Sequence, residues 1–341
     1  MTVLVTGGAG YIGSHVALEL IDAGESVVVL DDLSTGRARA VPAAARLVEG
    51  DVGDQGLVSD IAGRYRIDAI LHFAGSIVVA DSLARPLAYY LNNTVKSRAL
   101  IEVAVAHRIA HFVFSSTAAV YGAAGDRPLA EDAPLHPLSP YGSSKAMTEA
   151  MLADAARAHP LSYVALRYFN VAGADPAGRT GQAGPHATHL VKVACEAALG
   201  KRTHVDVFGT DYPTPDGTCI RDYIQVTDLA HAHMAALRHL RAGGSSEVLN
   251  CGYGRGYSVR EVIAAVKRAS GRDFEVREAP RRPGDPPVVI ADPTRLRRIL
   301  AWQPRYDSLD AIAAQALRWE ERLSQPGKDG PWPQNGPEGA G

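Results

Sequence analysis

Residues 2–15 read TVLVTGGAGYIGSH. A β-branched run, Thr2–Thr6, meets glycines at 7, 10 and 13, and a helical length of sequence continues over Tyr11–Ala23. Strand, glycine turn and helix in that order predict the first βα unit of a doubly wound sheet. Gly7 permits the tight turn, Gly10 lets a pyrophosphate approach the backbone, and Gly13 lets the helix pack closely on the strand. The helix start offers unpaired N–H groups and a positive dipole end to phosphate. A glycine string alone also serves as a plain turn; its place between strand and helix favours a dinucleotide site.

The pattern repeats downstream. Ser26–Leu30, Arg46–Glu49, Asp68–Phe73, His111–Ser115 and Ser162–Arg167 read as strands. Between them Asp54–Tyr65, Leu87–Ala106 and Ser143–Ala156 have helical length. Mostly apolar strands alternating with helices predict an α/β fold, a doubly wound parallel (Rossmann) sheet covered on both faces. Beyond Asn170 the chain turns rich in Gly, Pro and Asp, and helices are expected again at His189–Leu199, Val226–Arg241, Ser258–Ser270 and Leu309–Arg322. We therefore expect a cofactor domain over 1–169, with 222–245 returning to it. A smaller α/β substrate-binding domain takes 170–221 and 246–323, and a disordered tail takes 324–341.

With 341 residues, the chain buries a core without disulfide or metal staples. Thirty-five basic residues against 37 acidic give a net charge of −2, which argues against general electrostatic binding of nucleic acid. No long apolar run and no signal-peptide pattern is present, so neither a membrane nor secretion is expected. Three scattered cysteines, Cys195, Cys219 and Cys251, suit a reducing compartment, and a cytoplasmic location is expected. His107/His111 and His186/His189 lack the carboxylate spacing of a metal helix and read as structural or solvated; no metal is expected.

Asp31 ends the second strand, 18 residues beyond Gly13, where a carboxylate accepts the adenosine ribose hydroxyls. It would repel a 2′-phosphate, so NAD is favoured over NADP, although Arg37 and Arg39 follow. Asp51 and Val52 end the third strand on the adenine side, and Phe73, Ala74 and Gly75 end the fourth at the crevice where ligands gather.

Residues 139–145 read SPYGSSK. Serine before proline resembles an N-cap followed by the first helical residue, so Tyr141 and Lys145 project from one helix face. A phenol titrates near 10, too high for a base at neutral pH, and a neighbouring ammonium is expected to lower it. Upstream, FSSTAAVYG over 114–122 carries a strand into hydroxyl residues. Thr117, Tyr141 and Lys145 together suit reversible removal of hydride and proton from a secondary alcohol.

These residues carry a resemblance. VTGGAGYIGSH, LDDLSTG, HFAG, YYLNN, FSSTAAVYG, SPYGSSK, LRYFNVAGADP, FGTDYPTPDGTCIRDYI, NCGYGRG and RRPGD occur in order over residues 1–322. The chain resembles the extended short-chain dehydrogenase/reductases, in particular their UDP-glucose 4-epimerase branch. The resemblance implies that Thr117, Tyr141 and Lys145 are catalytic, and that Tyr11, Ile12, Asn92 and Phe169 join the NAD pocket. It also implies that Asn170, Leu190, Phe208, Arg221, Arg282 and Asp285 contact a UDP-sugar. Two guanidinium forks suit a pyrophosphate.

Two departures stand out. Ile77 occupies a position where some relatives carry lysine near the phosphates. Val289 falls where a bulky tyrosine alternates with smaller residues and crowds the substituent at sugar C2, so N-acetylated UDP-hexoses stay open as second substrates. Relatives that eliminate water place an acidic pair after the catalytic threonine, whereas Ala118-Ala119 follow Thr117 here. The expected activity is NAD-dependent epimerisation at C4 of a UDP-hexose through a transient 4-keto sugar, by a homodimer. The rivals are a UDP-pentose 4-epimerase or reductase and a catalytically silent NAD-sensing regulator.

Overall fold

The computed structural model describes residues 1–122, 127–184, 188–282 and 284–325. Its strands begin β1 (Thr2–Thr6), β2 (Ser26–Asp31), β3 (Arg46–Glu49), β4 (Ile67–His72), β5 (His111–Thr117) and β6 (Ser162–Tyr168). Then come β7 (Asn170–Ala172), β8 (His204–Phe208), β9 (Ile220–Gln225) and β10 (Glu247–Cys251). The last are β11 (Gly256–Ser258), β12 (Glu275–Ala279) and β13 (Val288–Val289). Helices α1 (Tyr11–Asp22), α2 (Gln55–Tyr65), α3 (Val79–Ala84), α4 (Pro86–Tyr89), α5 (Lys96–Ala106) and α6 (Pro140–Ala158) belong to the first half. They are followed by α7 (Leu190–Ala198), α8 (Val226–Arg241), α9 (Val259–Ser270), α10 (Thr294–Leu300) and α11 (Leu309–Leu323).

Seven strands form one sheet in the order β10-β6-β5-β4-β1-β2-β3, all pairs parallel. Alternate residues of each strand enter opposite cores. Val3, Val5, Val29, Leu71 and Val113 join Val16 and Leu20 of α1 and Leu229 of α8. Leu4, Val28, Ile70, Phe112 and Phe114 meet Val58 of α2, Leu100 of α5 and Leu152 of α6. Burial on both faces is why these strands read as continuous apolar runs. Strand order reverses between β1 and β4, which opens the crevice at their carboxyl ends.

The smaller sheet centres on β9, flanked by antiparallel β11 and by parallel β13 and β7, while β8 pairs with β12. Helix α8 returns to the large sheet, packing on α1, β5 and β6. Strand β10 does the same by pairing with β6, whereas the sequence division put 246–323 in the smaller unit. Only Val248 and Leu249 give β10 an aliphatic core, so its apolar signal was too short to read.

The expected helix over Leu87–Ala106 differs in detail. It is built as α4, a π-helical turn over Tyr90–Val95, and α5. Most of the tail expected at 324–341, and His186, lie outside the described residues. No described helix is long and apolar enough to cross a membrane.

Candidate active site

At the crevice, Gly7 takes φ +70, and a Cβ there would lie 2.5 Å from Ala74 N and 2.8 Å from Phe73 C. The glycine turn thus abuts the Phe73–Gly75 segment, which leaves no room for a side chain. A Cβ on Gly13 would stand 2.3 Å from Gly7 O. Gly10 caps α1 without a side-chain hydrogen bond, so the N–H groups of that first turn, at Tyr11 and Ile12, have no side-chain cap. Such a cradle fits the pyrophosphate of a dinucleotide.

The Asp31 carboxylate accepts from Ala9 N and Leu33 N, both at 2.9 Å. Burial raises this carboxyl against those two N–H bonds. Asp31 therefore braces the glycine turn at Ala9. Asp51 accepts from Lys96 Nζ at 2.6 Å and Gly53 N at 2.7 Å. Burial pushes it up, but the ammonium and the N–H overcome this and leave it below its ordinary value. Val52 beside it is buried.

The π turn places two consecutive asparagines on one target. Asn92 Nδ2 donates to Ser76 Oγ at 2.9 Å, and Asn93 Oδ1 accepts from Ser76 N at 2.7 Å. Neighbours in an ordinary helix do not face the same way, and a π turn at a functional site relaxes that rule. Asn93 also donates to Ser144 Oγ at 3.0 Å and lies against Gly75, where a Cβ would be 2.9 Å from its Oδ1. Sequence reasoning named Asn92; Asn93 is the more buried and more fully bonded of the pair, a role visible only once the π turn is known. Ile77 is exposed and brings no charge.

Helix α6 begins as its sequence predicts, with Ser139 Oγ accepting from Gly142 N at 3.2 Å and Pro140 in the first turn. Tyr141 and Lys145 are both buried beside the end of β5. Lys145 Nζ donates to Ser115 O at 3.0 Å, lies 4.9 Å from the Phe114 ring centroid, and is 3.9 Å from where a Gly75 Cβ would be. A buried ammonium with one backbone acceptor has donors to spare for a ribose hydroxyl.

Electrostatics correct one expectation. Burial pushes the Tyr141 phenol up to about 12, and the group that opposes this is the Thr117 hydroxyl through a hydrogen bond, not Lys145. The lysine spends its charge on Ser115 O and the Phe114 face, and burial draws it down to about 8 against the pull of Glu149. Without a further positive charge nearby the phenol stays protonated.

The remaining named residues approach from the smaller sheet. Thr117 pairs with Tyr168, the chain then crosses at Phe169, and Asn170 starts β7 against Tyr223 of β9. Phe169 is buried with Ala118, Tyr121 and Leu129, and Val289 packs on that cluster from β13. Arg221 sits opposite Val289 and is ion-paired with Asp285. The Arg282 guanidinium covers the Phe208 ring at 3.8 Å, and Asp285 N bonds Arg282 O at 3.3 Å. Phe208, Arg221, Arg282 and Asp285 thus form one cationic group beside the Val289 strand. Leu190 opens α7 and packs on the main core.

This arrangement has known counterparts. The model of the NAD dependent epimerase/dehydratase family matches residues 3–252. The chain belongs to that family. It is similar to a UDP-glucose 4-epimerase of Azospirillum brasilense, 59% identical over 95% of this chain and 93% of the relative. A crystal structure of UDP-glucose 4-epimerase from Brucella ovis in complex with NAD superposes with TM-score 0.90 at 44% identity, covering 93% of this chain and 97% of that one. The UDP-Glc/GlcNAc 4-epimerase of Campylobacter jejuni gives TM-score 0.82 at 47% identity, over 94% and 99%.

Elsewhere His107 bonds Ser59 Oγ, and His111 lies 3.3 Å from Ser162 Oγ. His189 pairs with Gln182, and the three cysteines are buried and free. Sequence reasoning missed the hydroxyl contact of Ser115 with Tyr168 and the buried pair Glu149–Arg167.

Proposed function

We propose that this chain is an NAD-dependent 4-epimerase of UDP-hexoses, interconverting UDP-glucose and UDP-galactose through a transient 4-keto sugar. The observation that carries the reading is the convergence of Thr117, Tyr141 and Lys145 beside Gly75, at the point where the sheet order reverses. Bound NAD supplies a hydride acceptor for sugar C4 and a positive charge beside the phenol. Tyr141 takes the proton of the 4′-hydroxyl and returns it to the same oxygen once the ketone has turned over to present its other face. Thr117 shares a hydrogen bond with the phenol and the sugar oxygen, and Lys145 holds the nicotinamide ribose.

Residues 1–169 with 222–245, joined by β10, hold the cofactor, while Arg221 and Arg282 clamp the UDP pyrophosphate. Tight grip on UDP with a loose sugar lets the ring reverse without leaving the site. Ala118-Ala119 beyond Thr117 offer no group to move a proton, which disfavours elimination of water. Val289, half-buried over the Phe169 cluster, leaves space at sugar C2 for an N-acetyl group.

The active form is a homodimer. Leu83, Leu87, Leu91 and Val95 recur every four residues and all stand exposed, as does Met147 of α6. An apolar stripe of this length on helices packed side by side suits a second copy. Unpaired thiols suit the reducing cytoplasm.

The test is to incubate the purified chain separately with UDP-glucose, UDP-N-acetylglucosamine and UDP-xylose and to separate the C4 epimers chromatographically. Epimers without net NADH support the reading. No epimer from any sugar defeats it, and net NADH formation points to a dehydrogenase.

A further inference from the structure

Directly behind the reactive side chains lies a buried ion pair that the chemistry above does not use. Glu149 follows Lys145 by four residues on α6, as Lys145 follows Tyr141, so all three share one helix face. Its carboxylate accepts Arg167 Nε at 3.0 and 3.2 Å and Arg167 Nη2 at 2.6 Å, and Ser116 Oγ donates to the same group. The two side chains are 7% and 6% exposed. Ser116 and Arg167 are register partners on β5 and β6, one residue before Thr117 and Tyr168.

The network continues outward. Arg167 Nη1 donates to Tyr121 Oη at 2.9 Å, and Tyr121 donates to Asn250 Oδ1 at 2.7 Å. Asn250 Nδ2 reaches Leu129 O at 2.8 Å, and Leu129 N reaches Ile290 O at 2.8 Å. One bonded path therefore joins the helix of Tyr141 to the residue after Val289.

We propose that Glu149 and Arg167 are the positioning pair of this site: they lock Ser116, and so Thr117, to the helix face carrying Tyr141 and Lys145, and Glu149 gives the Lys145 ammonium its counter-charge. The proposal rests on Tyr141 and Lys145 being the reactive pair. The surroundings of Lys145 make the counter-charge matter. β5 offers the Ser115 carbonyl and the Phe114 ring, and the π turn offers neutral Asn93. From β4 comes His72, which burial keeps neutral down to about 3, and from β6 come Tyr168, hydrogen-bonded to Ser115 Oγ, and Arg167. On α6 itself stand the neutral phenol of Tyr141 and the carboxylate of Glu149. Glu149 is the anion in this set, and a buried ammonium without one sheds its proton.

The test uses lysine labelled at Cε in the cofactor-loaded protein. The chain has six lysines, and the Lys145 signal is assigned by its loss in Lys145→Met. Glu149→Gln is expected to lower the Lys145 midpoint by about one pH unit or more. Glu149→Gln/Arg167→Met, which leaves no unpaired guanidinium beside the lysine, lowers it less, and Glu149→Asp returns it toward the parent value. The basic limb of kcat should move in the same order, with KM little changed. Folded variants that lose melting temperature but keep the Lys145 midpoint overturn the proposal, as does a limb that stays put. Should Glu149→Gln not fold, the double variant decides. An ordered shift in midpoint without epimerase activity in the parent would sink the proposed function and leave the pairing intact.

Discussion

Lys145 Nζ and Ser115 O stand 3.0 Å apart, and this hydrogen bond, with that of Ser116 Oγ to Glu149, ties the helix of Tyr141 to the strand that ends in Thr117. Movement of either element misplaces the other's hydroxyl. Thr117, Tyr141 and Lys145 therefore meet at a junction between secondary structures rather than in a surface cluster, and activity should respond sharply to small changes there.

Tyr141→Phe removes the proton carrier and keeps the buried ring. Turnover of UDP-galactose should fall by roughly 10²–10⁴-fold, with NAD retained on the purified protein. Retention is read by denaturing the protein and measuring released cofactor. Undiminished turnover would take Tyr141 out of the mechanism.

Burial draws Lys145 down to about 8 from 10.5, so its ammonium is intact below that pH and disappears above it. We expect kcat to decline on the alkaline side from about pH 8, well before an ordinary lysine would act. A kcat profile flat to about pH 10 contradicts the assigned charge state.

Gly13→Ala forces a Cβ to 2.3 Å from Gly7 O and 2.8 Å from Gly8 Cα, both backbone. Overpacking of this kind costs about 1–3 kcal/mol and shifts the turn. Co-purified NAD should drop and the melting temperature fall together. A variant with full NAD content would show that the turn tolerates the methyl.

Val289→Tyr sets a large ring against the cluster of Phe169, Ala118 and Tyr121. Activity toward UDP-N-acetylglucosamine should be lost selectively while that toward UDP-glucose persists. Equal loss on both sugars would refute a gate at this position.

Leu87→Glu with Leu91→Glu places two charges on the exposed stripe, where the parent side chains are 79% and 56% exposed. Sedimentation should show a dimer for the parent and a monomer for the variant. An unchanged sedimentation coefficient would move the interface elsewhere.

The parts of the molecule legible from sequence are those whose signals are local. Gly7, Gly10 and Gly13 announce a turn because sterics at each are decided within a few residues, and Ser139-Pro140 announces a helix start for the same reason. The π turn at Tyr90–Val95 is indistinguishable from ordinary helix in the sequence because its apolar spacing stays helical through the inserted residue. Arg167 and Glu149 are 18 residues apart, and nothing near either announces the other; only the pairing of β5 with β6 brings them together. The phenol's environment is not legible in the sequence, because four-residue spacing reveals a shared face but not what each tip bonds.

The wide turn at Tyr90–Val95 also gears two surfaces together. Asn92 and Asn93 face Ser76 inside it, while Leu91 and Val95 face outward from the same six residues. Deleting one residue there would swing everything ahead of it by about 100° relative to α5. The pocket floor would then unlatch from Ser76 as the leucine ridge rotated off its face. Length variation is thus barred at this stretch from two sides at once, and the pocket and the ridge can drift in sequence only in step.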